Sequence, residues 1–158
     1  MKKLFIIFLF QINAVNALEV SCKFEEVYGN GDVQQGLLFL KNQKLRYEYF
    51  DKNLFTIIAK NGNFFLINQA HKNNVSKINN NTEILEMFMN IALDYPNLKS
   101  TYSYEKTNII VEKSSNSFIK RVSINAENVN VSINLFNCKF ENIHNKYFNH
   151  FNFEKVSK

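Results

Sequence analysis

Cysteine and histidine are the side chains of this sequence best suited to ligate a metal or attack a substrate: Cys22, Cys138, His71, His144 and His150. The histidines fall in Asn-rich, loop-like surroundings, with no cysteine or carboxylate at tight ligand spacing from them. Cys138 with His144 comes nearest to the start of a metal or thiol site, and it lacks the further ligands such a site requires. No Gly-rich phosphate loop, nucleophile elbow or paired-carboxylate motif occurs. The chain therefore reads as a non-enzyme with no cofactor and no metal. Its formal charge of +5 and its many Phe and Tyr residues raise the question of nucleic acid. The lysines are scattered over turns instead of clustered, so no nucleic acid is expected. A mild positive balance suits brief contact with anionic membrane surfaces or acidic partners.

What remains for the cysteines is a disulfide, and the start of the chain bears on it. Lys2 and Lys3 precede an apolar run at residues 4–10, and Val15-Asn16-Ala17 sets small residues at the −3 and −1 positions of a cleavage site. The run is too short to span a bilayer. Residues 1–17 read as a secretory signal and 18–158 as one domain. Cys22 follows Glu19-Val20-Ser21, which is not the sequence that lipid-modifying enzymes need. In an exported chain a Cys22–Cys138 bridge is expected, with two buried thiols as the alternative.

The elements that must position any site are mostly strands. Residues 37–41, 45–50, 54–60 and 64–68 are strand-like runs separated by Asn-Gln-Lys, Asp-Lys-Asn and Asn-Gly. Residues 18–28 alternate as a half-buried strand before them, and 75–78 form a short one after. Asn79–Thr82 offers helix caps, Glu83 and Glu86 suit the first helical turn, and Pro96 ends the helix. Strands resume at 99–105, 109–113, 118–125 and 129–138, followed by a loop at 140–149 and a short strand at 151–153. The spacing predicts a mainly β fold with one inserted helix: a single curled antiparallel sheet of about ten strands, forming an open, incomplete β-barrel.

One stretch carries a resemblance. Gly36, the apolar run 37–40, Lys41-Asn42-Gln43, Leu45-Arg46-Tyr47-Glu48-Tyr49 and then Asn61-Gly62 resemble the opening strands of the periplasmic outer-membrane lipoprotein carriers, the LolA-like family. The inserted helix falls where that family has its helical lid, and Phe151-Asn152-Phe153 looks like its closing strand. Lys41 stands where the family has an Arg, Asn42 replaces a Pro, and the family's N-terminal helix and Pro-rich ending are missing. The resemblance implies a LolA/LolB-like open barrel under a helical lid, working in the periplasm as a monomer. Such a carrier takes lipoproteins from an inner-membrane lipoprotein-releasing ABC transporter, shields their acyl chains, and passes them to an outer-membrane receptor. It also implies that Lys41 latches the lid, more weakly than the planar guanidinium it replaces.

With period-two alternation, Leu37 and Phe39 are expected to share a concave face with Leu45, Tyr47 and Tyr49. Together with Ile58, and with Phe88 and Ile91 of the helix, they are the candidate lipid-binding cavity. The bland alternative is an ordinary hydrophobic core. A sensor or adaptor domain of the same fold, binding an envelope protein, is the other function consistent with these residues.

Overall fold

The computed structural model describes residues 18–71, 74–78, 83–116, 118–127 and 129–149. The expected signal segment at 1–17, the expected helix caps at 79–82, His150 and the expected closing strand at 151–153 lie outside the described residues.

Ten strands form one antiparallel sheet. In chain order they are β1 (Glu19–Tyr28), β2 (Val33–Lys41), β3 (Lys44–Tyr49), β4 (Phe55–Lys60), β5 (Asn63–Asn68), β6 (Val75–Ile78), β7 (Thr101–Tyr104), β8 (Thr107–Lys113), β9 (Ile119–Ala126) and β10 (Val129–Phe140). One helix, α1 (Glu83–Leu93), lies between β6 and β7 in the chain. The spatial order is β6-β5-β4-β3-β2-β1-β10-β9-β8-β7. Two sequential meanders therefore meet where β1 pairs with β10, and the sheet is not closed. Phe64 of β5 and Ile109 of β8 belong to the same buried cluster, so the sheet wraps around a common core. A ten-stranded sheet twists too far to stay flat.

Turn chemistry fixes the registers. Asn61 and Gly62 take φ values of 52° and 71° between the paired residues Lys60 and Asn63, the left-handed angles of a two-residue hairpin turn. Asn42, at φ 54°, likewise opens a two-residue turn, because Lys41 pairs with Lys44. That count decides which side chains meet. The three-residue break Asn-Gln-Lys would align odd positions of β2 with odd positions of β3. The observed two-residue turn pairs odd with even: Leu40 with Leu45, Phe39 with Arg46, and Leu38 with Tyr47.

The inner face consequently carries Val20, Cys22, Phe24, Leu38, Leu40 and Leu45, packed with Phe88, Ile91 and Ala92 of α1. Glu83 and Glu86 occupy the first turn of α1, where the dipole favours them. The outer face of β2–β4 is covered as well. After β10 the chain crosses it as a strap, residues 141–149, containing a 3₁₀ turn (Asn145–Phe148) packed on β3 and β4. Ile143 and Phe148 of the strap are buried, and Tyr147 stacks on Phe39 with ring centres 5.0 Å apart. The segment expected as a plain loop is thus a second cover. It satisfies strands that are apolar on both sides.

Candidate functional site

The inner face is built outward from Gly36. A Cβ at that position would lie 2.5 Å from the Phe24 ring and 2.1 Å from the Glu48 carbonyl oxygen, so only glycine fits. The Phe24 ring, pressed over the bare backbone, stacks on Tyr47 at 3.9 Å and meets the Tyr49 ring edge-on at 5.4 Å. Tyr47 in turn receives Phe88 of α1, with ring centres 6.5 Å apart. Of the candidate cavity residues, Leu45, Tyr47, Tyr49, Phe88 and Ile91 are brought together here.

Leu37, Phe39 and Ile58 are not. Leu37 pairs with Glu48, and Phe39 and Ile58 both pair with Arg46. Paired residues share a face, which sets these three on the outer side. Phe39 and Ile58 lie there beneath the strap or beside it. For Leu37 and Phe39 turn length is the reason, since one residue fewer in the hairpin reverses every side chain of β2 relative to β3. Ile58 lies outside because it pairs with Arg46, of opposite parity to Leu45 and Tyr47.

Lys41 is a latch for a different part. Its Nζ donates to the Ile143 carbonyl (2.7 Å), to Asn142 Oδ1 (3.3 Å) and to Glu19 Oε2 (3.1 Å). Glu19 also accepts from the Ile143 backbone N–H at 2.8 Å. That bond, with the Lys41 ammonium beside it, outweighs partial burial and holds the Glu19 carboxyl below its ordinary 4.5. Arg46 adds a bond to the Tyr147 carbonyl (3.2 Å). The expected lid latch therefore fastens the strap on the outer face, while the helix lies on the inner one.

Helix α1 fills the middle of the inner face and leaves space along its sides. Phe88, Ile91 and Ala92 are fully buried, whereas Ile84, Leu85, Met87 and Met89 are half-buried and Leu93 is exposed. A cleft of about 380 Å³ runs between Met89 and Leu93 of the helix and Ala59 and Phe64 of β4 and β5. A second, of about 470 Å³, lies between Ile84 and Met87 and the ends of β7, β8 and β10. Both volumes fall in the range of small-ligand sites, about 300–1,000 Å³. At its C-terminal end the helix is anchored to β7 by the Tyr102 hydroxyl, which donates to Asp94 Oδ2 at 2.9 Å.

A polar group that sequence reasoning missed sits on the same face. Glu26, 6% exposed, accepts hydrogen bonds from three phenols: Tyr28 (2.7 Å), Tyr47 (2.8 Å) and Tyr49 (3.2 Å). Burial pushes the Tyr28 hydroxyl up to about 12, helped by its bond to the carboxylate. Tyr47 and Tyr49 are raised for the same reasons, burial first. A signal was present: Val20, Cys22 and Phe24 point inward, and Glu26 continues their parity as a lone carboxylate in an apolar row.

The sulfurs of Cys22 and Cys138 are bonded, joining β1 to β10 across 116 residues beside the irregular register at Asn137. His71 is exposed, and His144 caps the 3₁₀ turn by accepting from the Lys146 N–H. Among the described residues, no group of three or more His, Cys, Asp or Glu could hold a metal ion, and no helix is long and apolar enough to cross a membrane. No family model matches this chain, and no curated protein matches it significantly.

Proposed function

We propose that this chain is a LolA-like envelope carrier. It shelters the acyl chains of lipoproteins against the inner face of its sheet, with α1 as a displaceable lid. On this reading residues 1–17 are a cleaved signal and the mature monomer works in the periplasm. An inner-membrane lipoprotein-releasing ABC transporter loads it and an outer-membrane receptor unloads it, with no reaction catalysed.

The observation that carries the proposal is how α1 is held. It presses three fully buried side chains onto an aromatic floor, with half-buried methionines and open clefts on either side. At roughly 1.5–3 kcal/mol for each large side chain, Phe88 and Ile91 together with the half-buried Ile84, Leu85, Met87 and Met89 make this docking worth on the order of 10 kcal/mol. One acyl chain of about 16 carbons offers a similar sum, at ~0.8 kcal/mol per methylene. Comparable energies make the exchange reversible, as a carrier requires. Met87 and Met89 are suited to it, because unbranched thioethers repack around different shapes. The swing of the helix pivots on the Asp94–Tyr102 anchor.

Protein isolated from the envelope should carry bound acyl chains detectable by native mass spectrometry, and emptied protein should bind a neutral pyrenyl-alkane reporter saturably. Absence of both removes the proposal.

A second reading keeps the fold: a sensor or adaptor domain that binds an envelope protein. It is favoured by the way Phe88, Ile91 and Ala92 already fill the inner face. Depletion separates the two, since loss of a carrier strands lipoproteins at the inner membrane and loss of an adaptor leaves them sorted.

A further inference from the structure

Glu26 is a carboxylate on an otherwise apolar floor. An ionised carboxyl offers about four lone-pair sites. Tyr47 and Tyr49 donate to Oε1, and among the described residues Tyr28 alone donates to Oε2, so Oε2 has room for one more donor. All three partners are neutral phenols, and no Lys or Arg bonds to Glu26 among the described residues. Buried charges are ordinarily paired with an opposite charge, because desolvating a lone ion costs several kcal/mol.

The carboxylate also lies close to open space. Tyr28 is half-buried and lines a cleft of about 380 Å³ with Gly29, Val129 and Asn130. Val129 also lines the cleft beside Ile84 and Met87 of α1, so the two openings are neighbours. With α1 displaced, as the carrier reading has it, a chain entering on that side would lay its tail on the floor formed by Phe24 and Tyr47 and leave its polar end beside Tyr28 and Glu26.

We propose that Glu26, ringed by Tyr28, Tyr47 and Tyr49, is a head-group site that accepts an N–H donor at the polar end of an inserted acyl chain and rejects anionic ends. The site rests on the acyl-carrier reading and narrows its ligands to amide- or ammonium-ended chains. Carboxylate and phosphate ends bring a second negative charge to a partly desolvated one, where screening by water is weak. An N–H end adds a second donor at Oε2, beside Tyr28.

The test uses the mature protein loaded with a neutral pyrenyl-decane reporter at pH 7.5. Dodecylamine, N-methyldodecanamide, dodecanoate and dodecyl phosphate compete below their micellar concentrations. The amine and the amide should displace the reporter at least tenfold more tightly than either anion, and their ratio tells a charged donor from a neutral one. Glu26→Gln, which keeps a hydrogen-bonding amide among the phenols, should bring all four to within about twofold. Tyr28→Phe, which frees another acceptor site, should tighten the amine several-fold and covers the case in which the Gln variant does not fold.

Equal binding of anionic and N–H-ended chains by the wild type overturns the site, as does an unchanged preference in Glu26→Gln or an unchanged amine affinity in Tyr28→Phe. Failure of the reporter to bind at all overturns the carrier reading and the site with it. Reporter binding without head-group preference overturns the site alone.

Discussion

Phe88→Ala separates a displaceable helix from a permanent plug. Phe88 is 3% exposed and its ring meets Tyr47 on the inner face, so truncation should destabilise the fold by about 3–5 kcal/mol. Part of that loss falls on the docking of α1. If ligand binds only when the helix is displaced, apparent affinity scales with the population of the displaced form. Weakening the docking by about 2.8 kcal/mol raises that population roughly 100-fold, at 1.4 kcal/mol per tenfold. The Kd for the pyrenyl reporter should therefore fall 10- to 100-fold, even as Tm decreases. Fluorescence titration gives the first quantity and circular dichroism the second. Ile143→Ala is the control: it removes a buried side chain from the strap on the outer face, so it should lower Tm and leave Kd unchanged. Loss of stability in Phe88→Ala with no gain in affinity would refute the reasoning, since a plug that never moves has nothing to give up.

Gly36→Ala brings a methyl group within 2.1 Å of a backbone oxygen and 2.5 Å of the Phe24 ring, and overpacking of about 3 kcal/mol should lower Tm by roughly 5–10 °C. Reducing the Cys22–Cys138 bond frees a 116-residue separation, and urea unfolding should register a loss of up to ~4–5 kcal/mol in the chain-entropy model. Tyr28 is held protonated to about 12 against an ordinary 10.0; the stability it contributes is complete below pH 10 and lost as pH rises through 12, so absorbance at ~295 nm should show it ionising late and together with unfolding. The depressed Glu19 carboxyl acts with the opposite sign: its contribution is complete above pH 4.5 and lost as pH falls through the lowered value, and hydrogen exchange should show residues 141–149 loosening in acid while the inner face stays protected.

All ten strands and the helix were legible in the sequence because each is bounded by Asn- or Gly-rich breaks and carries its own periodicity. The faces were less so. Whether Lys44 belongs to the turn or to β3 is a matter of one residue, yet it moved Leu37, Phe39 and Lys41 from the inner side to the outer. Ile58 is on the outer side for a separate reason, its pairing to Arg46, which the β3–β4 register fixes independently of that turn. Composition is silent on this, since β2 carries Leu37, Leu38, Phe39 and Leu40 in succession and either parity of that strand buries hydrophobic groups. The strap was hidden for another reason: Ile143, Tyr147 and Phe148 are anchored by partners about a hundred residues away, and no local period marks them. Glu26 was readable in principle, as a carboxylate at an inward parity, but its three phenols come from β1 and β3 and only tertiary structure gathers them.

The pairing of β1 with β10 has a consequence for how the chain is made. Synthesis runs from the N-terminus, and each new strand of the first meander can zip onto the one before it as it emerges. One side of β1, however, waits for a partner until β10, the last strand of the sheet in chain order, has been made. During that interval the nascent molecule presents a bare strand edge, an invitation to sticky association, and an unpartnered Cys22 thiol. The first strand of the sheet is thus the last to be completed, and the arrival of Cys138 is what closes that window.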